Sequence, residues 1–166
     1  MKDALNVTPS TDEIATGVKE AERISQALAD VLADTYRLTF KTHAYHWNVE
    51  GPLFFPLHKL TEGQYEDMFA AADELAERIR ALGHLAPMTM GEIVERSQIE
   101  DKAGTPSAAE MVEDLASDHE RVAHRLHALI RLVGGLADPV TEDLATARSA
   151  FHEQAAWMLR ATAKTG

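Results

Sequence analysis

Four side chains able to bind a metal ion fall on one stretch of this sequence: His58, Glu62, Asp73 and Glu77. Imidazole nitrogens and carboxylate oxygens suit iron, whereas thiolates would favour zinc or copper, and the chain has no cysteine. On a helix turning ~100° per residue, Glu62 and Asp73 point within ~20° of each other, and all four share an arc of ~100°. His58 and Asp73 are nevertheless ~22 Å apart along such a helix, too far for one ion to touch both within one chain. The spacing is palindromic: His58 and Glu77 stand equally far from the point between Asp67 and Met68, and so do Glu62 and Asp73. Two copies of the helix, packed antiparallel about a two-fold axis at that point, bring His58 and Glu62 of one against Asp73 and Glu77 of the other. Two equivalent sites result, as an interface of two identical faces requires. His46 joins the set, because His46 and His58 are equidistant from Pro52, where a hairpin would turn. Either i,i+4 pair alone reads as a solvated charged face, with Arg78 beside Asp73 and Glu77. The joint pattern favours a shared site.

The elements that must position these residues are helical throughout, since apolar residues recur at three- and four-residue steps and nothing reads as a strand. A first helix is expected from about Thr16 to Val49, with Ile24, Leu28, Val31, Leu32, Tyr36 and Phe40 as its apolar positions. Gly51-Pro52 breaks it. A second opens near Phe55, with Pro56 in its first turn, and stops at Gly83. In the punctuated stretch from His84 to Pro106, Glu92–Arg96 could form a short helix. Ser107 caps a third long helix, with Glu110 placed for a capping box, and Gly134-Gly135 ends it. Asp138-Pro139 starts the fourth, with Leu144, Phe151, Ala155, Met158 and Leu159 on one side. The expected fold is all-α: a four-helix bundle with a short helix in the long connection between helices two and three. One domain over 1–166 is expected, with a short flexible tail at about 1–12.

Composition narrows the function. A chain of 166 residues, 45% hydrophobic, fits one domain with a substantial core. No apolar run approaches the ~20 residues of a membrane span, and the N-terminus lacks the apolar core of a secretory signal, so a cytoplasmic protein is expected. Disulfides and cysteine catalysis are excluded. The formal net charge of −11 should repel nucleic acid and attract cations.

At Thr42-His43-Ala44-Tyr45-His46-Trp47-Asn48-Val49-Glu50-Gly51-Pro52 the chain resembles the Dps family, the ferritin-like mini-ferritins of starved bacterial cells. The similarity continues through Leu57-His58 and Glu62-Gly63-Gln64-Tyr65 to the segment Asp73-Glu74-Leu75-Ala76-Glu77-Arg78, and resumes at His152-Glu153-Gln154-Ala155-Ala156-Trp157-Met158-Leu159-Arg160. The resemblance implies a twelve-subunit hollow shell built from two-fold dimers. It would oxidise Fe(II) with hydrogen peroxide or dioxygen, peroxide being preferred, and store ferric oxide inside, protecting the cell from oxidative damage. It implies a ferroxidase site with His46, His58 and Glu62 from one subunit and Asp73 and Glu77 from its partner. Trp47 resembles the family's aromatic beside that site, although simple interface packing explains it as well. Asp143 falls among the family's acidic pore residues, with Asp138 and Glu142 nearby, although first-turn acidity explains all three as well.

The remaining histidines carry less. His119, His124 and His127 make no zinc-protease motif, because Ala123 stands where its second histidine would be, and no Glu-x-x-His motif occurs, which argues against an intrasubunit di-iron site. His43, one turn before His46, is placed to assist a metal but better suits a surface or interface role; His84 and His152 carry no argument beyond composition. The alternative function is a nucleoid-binding protein that protects DNA by physical association. Against it, the first 18 residues hold Lys2 as their only basic residue beside Asp3, Asp12 and Glu13, and the last helix ends with only Arg160 and Lys164. Twelve copies would carry about −132, a bar to phosphate contact.

Overall fold

A computed structural model describes residues 4–164, so Lys2 and Asp3 of the expected tail lie outside the described residues. The helices are α1 (Ala21–Asn48), α2 (Phe54–Ala81), the short α3 (Met90–Arg96), α4 (Ala108–Val133) and α5 (Pro139–Ala163). The architecture is the expected one: four long helices in two antiparallel hairpins, α1–α2 and α4–α5, with α3 in the connection between them. The described residues include no strand.

Local chemistry sets the boundaries. Ser107 and Glu110 form the expected capping box, each side chain bonded to the other's backbone N–H. Thr89 and Glu92 form a second one at the start of α3. Gly51, at φ +105°, makes the turn between α1 and α2 in a region that side chains with a Cβ avoid. Asp138 caps α5, accepting from the Thr141 N–H at 2.9 Å. One boundary differs from expectation: α1 begins at Ala21, not near Thr16. Gly17 and Glu20 adopt left-handed conformations (φ +75° and +54°), and the Lys19 N–H is taken by Leu136 O at 3.1 Å. The segment before α1 thus crosses the bundle end instead of extending the helix.

The core stripe of α1 runs through Ile24, Leu28, Val31, Thr35, Leu38 and Thr42, and that of α2 through Leu57, Thr61, Gln64, Met68, Leu75 and Ile79. They close against Leu115, Val122, Leu126 and Leu159 of α4 and α5. Tyr36 and Phe40, expected in this core, are instead 40% and 64% exposed. Each lies one residue, about 100°, beyond a core position, and with Trp47 they form an outer apolar stripe on α1. Met158 likewise faces outward at 39%.

Two buried ionic clusters tie α1 to α4. Lys41 reaches Asp118 at 2.5 Å and Asp114 at 3.1 Å. Asp34 pairs with Arg125 at 2.9 Å and accepts from the Ser97 hydroxyl and the Gln98 N–H. Tyr45, next to His46, donates its hydroxyl to Asp114 at 2.6 Å, fixing the last turns of α1 against α4. No helix among the described residues is long and apolar enough to cross a membrane.

Candidate metal centre

The α1–α2 hairpin brings His46 and His58 together, as the count from Pro52 requires. Their rings stack 3.7 Å apart, 17° from parallel. Each ring bonds the other residue's backbone: His46 Nδ1 to His58 O at 2.8 Å, and His58 Nδ1 to His46 O at 3.0 Å. A carbonyl only accepts, so both Nδ1 atoms carry hydrogen, which puts the lone pair of a neutral ring on Nε2. This is how proteins orient a metal-binding imidazole: the remote nitrogen is fixed to a backbone acceptor and the near one is presented. His46 is buried and His58 half-buried.

Glu62 sits one turn beyond His58 on the same side of α2 and is half-buried. Lys59 donates to it at 2.6 Å, and the ammonium holds the Glu62 carboxyl below its ordinary range. The pair is an exposed i,i+3 contact of the kind worth little in water, so an incoming cation can displace the lysine cheaply. Spacing alone did not mark Lys59, although its position three residues before Glu62 is the signal.

Asp73 and Glu77 lie toward the other end of α2, both exposed. Among the described residues neither side chain makes a hydrogen bond or ion pair within the chain. Arg78, which a plain charged face would pair with them, instead binds Asp138 at 2.7 Å and Thr141 at 2.9 Å. Asp73 borders an open groove of about 740 Å³ whose walls include Tyr36, Phe69, Met88 and Met90. The five candidate ligands therefore fall into two clusters on one face: two imidazoles with Glu62 near the start of α2, and two carboxylates nearer its end. Among the described residues, no group of three or more His, Asp or Glu side chains gathers closely enough within one chain to hold a metal.

Aromatic rings surround the histidine cluster. His43 lies 4.1 Å from the Trp47 ring and stacks on Tyr65 at 4.0 Å, and Tyr65 meets His46 edge-on at 5.2 Å. Of the acidic residues expected near a pore, Asp138 is buried as a helix cap bonded to Arg78, which leaves only Glu142 and Asp143 exposed.

The ferritin-like domain matches residues 25–166. The chain is 36% identical to "DNA protection during starvation protein 2" of Bacillus anthracis over 84% of its own length and 96% of that protein's. Its fold superposes on the crystal structure of Dps from Staphylococcus aureus with a TM-score of 0.85 at 30% identity, covering 89% of this chain and 99% of that one. A Vibrio cholerae Dps structure, described as a member of the ferritin-like diiron-carboxylate superfamily, gives 0.86 at 26% identity over 95% of this chain and all of that one.

Proposed function

Because the chain belongs to the Dps family of ferritin-like proteins, we propose that it is a ferroxidase and iron store whose oxidation sites each span two chains. Ferrous iron is the substrate, hydrogen peroxide or dioxygen the oxidant, and ferric oxide the stored product, held in a closed shell of twelve copies built from two-fold dimers.

The observation that carries this reading is the reciprocal fixing of His46 and His58. It leaves two Nε2 lone pairs beside Glu62, while Asp73 and Glu77 stand unpaired at the mirror positions of α2. Antiparallel apposition of two α2 helices completes each site with one chain's imidazoles and Glu62 and the other's two carboxylates. Three carboxylates carry three negative charges, which match Fe(III) better than Fe(II) and so favour the oxidised product. The carboxylates attract the dication, and the fixed imidazoles supply neutral donors without rotating into place. The outer stripe of Tyr36, Phe40 and Trp47 supplies the apolar surface such a dimer would bury. Direct DNA binding is not part of the proposal, given −11 per chain.

The test is ferrous oxidation followed optically with each oxidant, alongside the particle's native mass. The expected result is rapid oxidation by a twelve-chain particle and a loss of ~100-fold or more in His46→Ala/His58→Ala, where two of five donors are gone. A monomer at micromolar concentration, or full activity in that variant, contradicts the proposal.

A further inference from the structure

The middle of the bundle holds polar groups that the outer histidine and carboxylate clusters do not use. His119 of α4 and His152 of α5 are 0% and 1% exposed, with their Nδ1 atoms 2.9 Å apart. One ring must donate and the other accept, so the contact holds a single hydrogen. Burial, and then the charge of Arg148, keep His119 from protonating. The far nitrogen of His119, Nε2, is buried and bonds no protein atom.

Gln64 of α2 is 4% exposed, and neither its amide oxygen nor its amide nitrogen has a protein partner. The Thr42 hydroxyl of α1, on a fully buried residue, has none either. Helix register sets these groups at one height. Asp67 pairs with Arg148 at 2.7 Å, and the residues one turn away in the antiparallel sense are Gln64 on α2 and His152 on α5. Through α1 the count agrees. The His46–His58 contact sets Gln64 level with Phe40, and the Lys41–Asp118 pair sets Phe40 level with His119. Thr42 is half a turn further along. All four belong to core-facing stripes, among Leu38, Met68, Leu115 and Leu126.

Buried polar groups without partners are rare, and several in one layer of an otherwise apolar core call for a guest. A cation does not fit: Arg148 is close by, its Asp67 counter-charge is committed to it, and the Gln64 NH2 and the Arg148 Nε–H offer hydrogens, not lone pairs. An anion would face the Gln64 carbonyl oxygen. An apolar guest would satisfy nothing. Water both donates and accepts, and two to four polar partners in reach are what a buried water needs. We infer that the bundle interior contains a hydration site in which water is held between the Gln64 amide, the Thr42 hydroxyl and His119 Nε2. The three groups meet only in this register of α1, α2 and α4, so the water also ties the register together.

The test uses the assembled full-length protein. A crystal structure fine enough to show ordered water, paired with magnetic relaxation dispersion of the water signal, should find water within hydrogen-bond distance of Gln64 and His119 in every subunit. It should also find at least one long-lived water per chain. Gln64→Leu should lose that water and raise the unfolding constant by about 2- to 12-fold, the worth of one net hydrogen bond. A dry interior in the wild-type protein, or a Gln64→Leu variant that is more stable, overturns the inference. So does an anomalous-scattering peak at the site after soaking with zinc or manganese. The wild-type measurements decide the matter even if the variant fails to fold.

Discussion

Acid should weaken this bundle through the His119–His152 pair, by an amount the structure sets. Burial and then Arg148 pull His119 from its ordinary 6.5 down to about 3; His152 is lowered in the same way, by burial, His119 and Arg148 in that order. The unfolded chain takes up a proton near 6.5, and the folded chain refuses it until about 3. The stabilisation is therefore complete above 6.5 and is lost progressively as the pH falls toward 3. At ~1.36 kcal/mol per unit of pH, His119 alone costs the fold about 2 kcal/mol between pH 7 and pH 5. Replacing both rings, as in His119→Leu/His152→Leu, removes the titration while leaving every carboxylate in place. Urea unfolding of both proteins at pH 7 and pH 5 isolates the term. The wild-type protein should lose at least about 2 kcal/mol more than the variant, because suppressed protonation of His152 adds to that of His119. Equal losses would refute the buried neutral pair.

Two further perturbations test other parts of the fold. Lys41→Ala strips the cation from Asp118, which is fully buried, and from Asp114, and should cost about 3–5 kcal/mol in denaturant unfolding. Gly83→Ala should loosen the N-terminal segment, since a Cβ there would stand 2.0 Å from Asp12 O and φ is +90°. The readout is faster proteolysis before Ala21, with helix content by circular dichroism unchanged.

Local signals carried most of the fold. The Ser107–Glu110 box, Gly51-Pro52, Gly83 and Asp138-Pro139 act within a turn of where they stand, and the helices begin or end there. The same rule would have placed the start of α3 from Thr89 and Glu92. What escaped depends on distant partners. The late start of α1 follows from Lys19 bonding Leu136, over a hundred residues away in sequence. Tyr36 and Phe40 look like core residues because α1 carries a second apolar stripe, and periodicity alone does not say which stripe faces inward. In the candidate site, the meeting of His46 and His58 was legible because a hairpin has a countable register. The Nδ1 bonds that orient the rings were not, because they join side chains to backbone across two helices. The pairing of His119 with His152, 33 residues apart, needed the α4–α5 contact to be seen.

Mixing two complementary defects shows whether one site is shared between two chains. His58→Ala/Glu62→Ala damages one half of every site, and Asp73→Ala/Glu77→Ala the other. Each variant alone, once shown to assemble, should oxidise ferrous iron poorly, because every site has lost two of five donors. In a mixed dimer the losses segregate: one site is stripped of all four residues and the other keeps His58 and Glu62 from one chain with Asp73 and Glu77 from its partner. Co-assembled variants should therefore recover about half the normal rate per mixed dimer. Assembled, properly mixed particles that stay as inactive as their parents would contradict the shared site.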